Sequence, residues 1–100
     1  EVLLGADADV NAVAADGSTP LMTAARSGAE DVVRRLHAAG AKIDMRDVFG
    51  RTALHWAAEA DNARIMQFLI GLGLSPHTLD NRGWSALEIA QALDRARRIE

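Results

Sequence analysis

Gly50–Asp61 reads GRTALHWAAEAD, and the chain carries two looser copies of it, GSTPLMTAARSG at Gly17–Gly28 and GWSALEIAQALD at Gly83–Asp94. The copies stand 33 residues before and after it. The same interval relates Leu3, Leu36 and Leu69, relates Ala8, Ala41 and Leu74, and pairs Val10 with Ile43. A fixed period of this length marks a stack of short structural units, none of which can bury its apolar face alone.

The signals inside each period place helices and turns. Thr19, Thr52 and Ser85 stand where an N-cap belongs, and Pro20 follows Thr19 at the first helical position, where its missing N–H loses nothing. Leu21, Ala24 and Ala25 form the inward stripe of a first helix, repeated by Leu54, Ala57 and Ala58 and by Leu87, Ala90 and Leu93. Gly28 ends the first of these helices. In the next unit Asp61 and Asn62 replace it, and Asn62 is expected to take the left-handed conformation. A second helix is expected over Glu30–Ala39, with acids at its positive end and Val32, Val33 and Leu36 at helical spacing; Ile65, Met66, Phe68 and Leu69 repeat that stripe. Gly40 and Gly73 close the second helices, and Asp7 holds the same place at the start of the chain. Extended hairpins such as Lys42–Phe49 link the units. Ser85 and Glu88 form a capping box, after which Gln91, Asp94, Arg97 and Arg98 replace small or apolar residues, either as a terminal cap with a polar outer face requires or because the last helix is frayed by truncation.

Composition narrows the classes. One hundred residues allow one domain at most, 49% of them apolar and 25% charged, and about three units are needed for a stable stack. The formal charge of −3 arises in residues 1–50, while residues 51–100 hold six basic and six acidic groups; no field suited to nucleic acid results. Absent cysteine excludes disulfides and thiolate metal sites and is compatible with an intracellular setting, cytoplasm or nucleus. No run of 18 apolar residues could span a membrane, and EVLLGAD lacks the pattern of a secretory signal.

ALHWAA at Ala53–Ala58, the TPLM string at Thr19–Met22 and ADVNA at Ala8–Ala12 resemble the ankyrin repeat, and the resemblance covers the whole chain. It implies an all-α solenoid of stacked helix-turn-helix units with β-hairpin loops. Residues 1–100 then form one domain, with a partial repeat at 1–13, repeats at 14–46 and 47–79, and a truncated C-terminal capping repeat at 80–100. Both ends fall inside a repeat, which is what a fragment of a longer protein would show.

Catalytic constellations are missing. His37, His55 and His77 are spread along the stack with no metal-ligand spacing, so no metal site is expected, and the resemblance implies that His55 bonds turn backbone. The glycines end helices or open turns instead of cradling a phosphate, and Ser18, Ser27, Ser75 and Ser85 have no neighbouring base. No enzyme, cofactor or small-molecule substrate is read here.

What remains is surface. The resemblance implies that hairpin tips and the exposed sides of first helices line a concave groove that binds partner proteins. Here that groove would show Ala15, Asp16, Ser18, Arg26 and Ser27, then Val48, Phe49, Arg51, Glu59 and Ala60, then Asn81, Arg82, Trp84 and Ala92. Aromatic and arginine anchors dominate such contacts, which selects Phe49, Arg51, Arg82 and Trp84. Phe49 and Trp84 could instead pack on neighbouring hairpins and only stiffen the array. Trp56 has two readings as well, a partly buried core position or, with Glu59 three residues on, part of a site for methylated lysine such as some ankyrin arrays carry. Arg51 stands where such a cage would want another aromatic. The alternative of another class is assembly, by repeat stacking or by self-association through residues 1–4 or 95–100.

Overall fold

Thr19 begins the first helix. Its backbone is extended and its Oγ1 accepts the Met22 N–H at 3.2 Å, after which α1 runs over Pro20–Ser27 and stops at Gly28, left-handed at φ 75°. The computed structural model describes residues 10–99, so the expected partial helix at Glu1–Leu4 and the role of Asp7 lie outside the described residues. After α1 come α2 (Glu30–Ala38), α3 (Ala53–Glu59), α4 (Ala63–Gly71) and α5 (Ala86–Ile99).

Between α3 and α4 the left-handed residue is Asp61, at φ 57°, and not Asn62. Asp61 occupies the register position of Gly28, and its short polar side chain tolerates that conformation. Asn62 is needed elsewhere, since its Oδ1 accepts the Ile65 N–H at 3.0 Å and caps α4.

The third unit departs from the other two. At Asp94, in register with Gly28 and Asp61, the helix continues unbroken. Asp94 pairs with Arg97 one turn on at 3.6 Å, within the continuous helix. Arg97 also pairs with Asp61 and ties α5 to the α3–α4 turn. Leu87 is 36% exposed although its register mates Leu21 and Leu54 are buried.

The first helices stack side by side, α3 between α1 and α5, with α2 against α1 and α4 against α3. Leu21, Leu36, Leu54, Ile65 and Leu69 are fully buried and each contributes about 1.5–3 kcal/mol. Ala24, Ala25, Ala57 and Ala58 are buried among them and let the backbones approach closely.

The hairpins are stacked turns instead of ladders. Gly50 N–H bonds the Asp47 carbonyl at 2.9 Å and Gly83 N–H that of Asp80 at 3.0 Å. Successive turns are joined by Val48 N–H to Asp16 O and by Asn81 N–H to Phe49 O, both 2.9 Å. Among the described residues there is no strand, and one isolated bridge links Leu79 and Ser85. Gly50 is required twice over: its φ is +76°, and a Cβ there would overlap the Asn81 side chain and lie 3.0 Å from the Asn81 backbone nitrogen.

Candidate protein-binding groove

The turn at Asp47–Gly50 is built by one carboxylate. Asp47 Oδ1 accepts the backbone N–H groups of Phe49 and Arg51, both at 2.9 Å, and Oδ2 accepts Arg51 Nε at 2.8 Å and the Trp56 indole N–H at 3.1 Å. With all four donors converging on a side chain closed to solvent, the carboxylate fixes Arg51 and Trp56 together. Asp80 repeats the plan one period later, accepting Arg82 N–H and Trp84 N–H at 2.9 Å each and Arg82 Nη2 at 3.0 Å. Burial pushes the Asp80 carboxyl up, but the Trp84 N–H and the Arg82 guanidinium outweigh it and hold the group below the ordinary carboxylate range. In the first turn Asp16 Oδ1 takes the Ser18 hydroxyl at 2.6 Å and the Ser18 N–H at 3.0 Å, and these bonds, the hydroxyl first, lower its pKa too.

From these turns the side chains run toward the ends of the first helices. Arg51 lies over both Phe49 and Trp56, its guanidinium carbon 5.0 Å and 4.7 Å from the two ring centroids, and reaches Glu59 at 3.4 Å. Arg82 approaches the same Glu59 oxygen at 3.8 Å. Arg26 stands over Trp56 at 5.5 Å. Beside them opens a recess of about 370 Å³ between Arg51, Glu59, Arg82, Trp84, Ile89, Ala92 and Leu93, adjoined by a smaller one of about 260 Å³ between Phe49, Arg51 and Arg82.

The structure thus brings together Phe49, Arg51, Trp56, Glu59, Arg82 and Trp84, with Arg26 at the edge. Phe49 is 53% exposed and Trp84 42%. Trp56 is 5% exposed, and the ring face a methylated ammonium would need is taken by Arg51. Ser18 is buried in the Asp16 turn. Val48 and Asn81 sit at the outer tips, where the Asn81 amide donates to the Val48 carbonyl at 3.2 Å. The histidines stand in separate settings. His55 Nδ1 accepts the Thr52 N–H at 3.1 Å and Nε2 meets the Trp84 carbonyl at 2.9 Å, so the tautomer that satisfies both bonds carries its proton on Nε2. His37 packs edge-on against Phe68, with ring centroids 5.9 Å apart.

Three contributors were not singled out from the sequence. Asp47 and Asp80 stand 33 residues apart, and that register was the available signal. Ile89, on the floor of the recess, falls in register with Trp56.

Paired helices stacked at a fixed period, with hydrogen-bonded turns projecting on one side, define a helical-repeat solenoid. A family model described as ankyrin repeats in three copies matches residues 1–80 and 30–97, and the chain belongs to the ankyrin-repeat family. It is 35% identical over 82 residues to neurogenic locus notch homolog protein 1 of Xenopus tropicalis, covering 82% of this chain, and 44% identical over 72 residues to SH3 and multiple ankyrin repeat domains protein 1 of Homo sapiens, covering 71%. An ankyrin repeat protein of Acanthamoeba polyphaga mimivirus is 34% identical over 80 residues, 76% of this chain. The chain spans between 3% and 11% of the lengths of these relatives. Ankyrin repeats are generally non-catalytic protein–protein interaction modules. Among the described residues no helix is long and apolar enough to cross a membrane.

Proposed function

We propose that this chain is a non-catalytic module that binds a segment of a partner protein along the groove of Phe49, Arg51, Glu59, Arg82 and Trp84. The observation that carries the reading is the half-exposure of Phe49 and Trp84 at successive turn tips, beside recesses that share Arg51 and Arg82. Neither ring is needed to close the core, and rigid aromatic area next to arginines is the composition of binding hot spots. Trp56 supports Arg51 from below, Arg26 borders it, and Asp16, Ser18, Val48 and Asn81 shape the tips. The test is capture of partners by the wild type against the Phe49→Ala/Trp84→Ala double variant. Capture should fall at least about tenfold if each ring is worth about 1 kcal/mol or more, with the helical circular dichroism unchanged. Undiminished capture by the folded variant overturns the reading.

A second reading, self-stacking, is favoured by two exposed apolar surfaces among the described residues. Leu87 on α5 is 36% exposed, and beside α1 an apolar recess of about 480 Å³ opens between Val13, Pro20, Thr23, Ala24 and Val32. Sedimentation at several concentrations decides this reading. A sedimentation coefficient that rises with concentration supports it, and a monomer throughout removes it.

A further inference from the structure

Resting on the groove reading, the question becomes what chemistry the groove accepts. The buried carboxylates of Asp47 and Asp80 balance charge but present nothing to a ligand, because their oxygens already accept turn N–H groups and the Arg51, Arg82 and Trp56 side chains. What faces outward is mostly donors. Arg26 touches the Trp56 ring and has no carboxylate partner among the described residues. Arg51 engages acceptors through Nε and Nη1, and Arg82 through Nε and Nη2, so Arg51 Nη2 and Arg82 Nη1 have no acceptor among the described residues. The Arg82 side chain is 58% exposed.

Against these three guanidiniums the groove sets one central carboxylate, Glu59, with Asp16 at the edge engaged by Ser18. Glu59 is loosely held. Its Oε2 lies 3.4 Å from Arg51 and 3.8 Å from Arg82, and the second distance is an ion pair without a hydrogen bond. An incoming carboxylate can therefore take a direct bond to Arg82 without breaking one. Beside that point the recess offers an apolar floor of Trp84, Ile89, Ala92 and Leu93, closed on the Glu59 side by the arginines.

We infer that the groove selects a peptide segment in which a large apolar side chain is flanked by aspartate or glutamate, the apolar group in the Trp84–Leu93 recess and the flanking carboxylate on Arg82 and Arg51. Surplus guanidinium N–H groups and a single loosely held acceptor favour an acceptor-rich ligand, since planar guanidinium donors match a carboxylate in pairs. A basic segment would meet Arg26, Arg51 and Arg82 with only Glu59 to receive it. Because Asp47 and Asp80 already offset the charge of Arg51 and Arg82, what disfavours a basic side chain is the shortage of free acceptors for its N–H groups.

The test is selection from a phage-displayed library of random nonamer peptides on the wild type, on Arg82→Gln and on Phe49→Ala/Trp84→Ala, each first shown folded by circular dichroism. The expected wild-type sequences place Asp or Glu next to Leu, Ile, Met or Phe. On Arg82→Gln the acidic preference should fade while the apolar one persists. A synthetic peptide of the selected sequence should lose about fivefold in affinity with that substitution and weaken as salt is raised. Selection of basic or uncharged flanks, or an acidic preference unaltered in Arg82→Gln, overturns the inference while leaving the groove reading standing. Sequences that bind the Phe49→Ala/Trp84→Ala protein as well as the wild type overturn both.

Discussion

Replacing Asp47 by asparagine keeps the size of the side chain and its Oδ1, so the two turn N–H bonds from Phe49 and Arg51 survive. The other oxygen becomes an NH₂ that points at two donors, Arg51 Nε and the Trp56 indole N–H. The indole nitrogen is then a buried donor without an acceptor, a loss of about 1–3 kcal/mol, and the charge-assisted bond to Arg51 adds about 1–2 kcal/mol, discounted because that side chain is 19% exposed. About 3 kcal/mol in total is a large part of the stability of a small domain. Asp80→Asn supplies the internal comparison. Its two turn N–H bonds also survive, but the only side chain it loses is Arg82, 58% exposed, so the loss should be about 0.5 kcal/mol. Urea unfolding followed by circular dichroism separates the two: with a slope of about 1.5 kcal/mol/M, the midpoint should fall by about 2 M for Asp47→Asn and by about 0.3 M for Asp80→Asn. Equal midpoints for the two variants would refute the claim that Asp47 holds Arg51 and Trp56 in place.

Other consequences follow from the same geometry. His55→Ala removes the acceptor for Thr52 N–H and the donor to the Trp84 carbonyl, and should lower stability by about 2 kcal/mol in the same urea assay. Gly50→Ala should be worse than Gly83→Ala, because both glycines have positive φ but only at Gly50 does a Cβ meet neighbouring atoms; about 1 kcal/mol is expected at Gly83 and about 2 kcal/mol or more at Gly50, read from midpoint shifts. Acid should destabilise the array. Asp16 and Asp80 titrate below the ordinary carboxylate range when folded, so their contribution is intact above the unfolded value of about 4 and is lost as pH falls through the lower folded values. The urea midpoint should therefore drop below about pH 4, and less steeply in Asp80→Asn than in the wild type.

Much of the scaffold was legible because its signals are local. Thr19, Pro20, Ser85 and Glu88 announce helix starts within a turn of their own position, and Gly17, Gly50 and Gly83 mark left-handed turns wherever they recur. The choice between Asp61 and Asn62 was harder, since both types tolerate positive φ and what decides is that only Asn62 stands where α4 needs a cap. Trp56 and Arg51 were ambiguous for a different reason. Their packing is set by Asp47, nine residues before Trp56, and no helical or strand period links those positions. The exposed tips, Phe49 and Trp84, were legible as residues next to turn glycines, whereas the recess floor at Ile89 and Leu93 depends on how α5 lies against α3.

Amide chemical-shift mapping with a groove-selected peptide tests the central claim most directly, because the two tryptophans serve as internal reporters. The largest shifts should fall on Phe49, Arg51, Glu59, Arg82 and Leu93, and the Trp84 indole N–H should move while that of Trp56, bonded to Asp47, stays nearly still. Shifts concentrated on α2 and α4, with both indole signals unmoved, would contradict it.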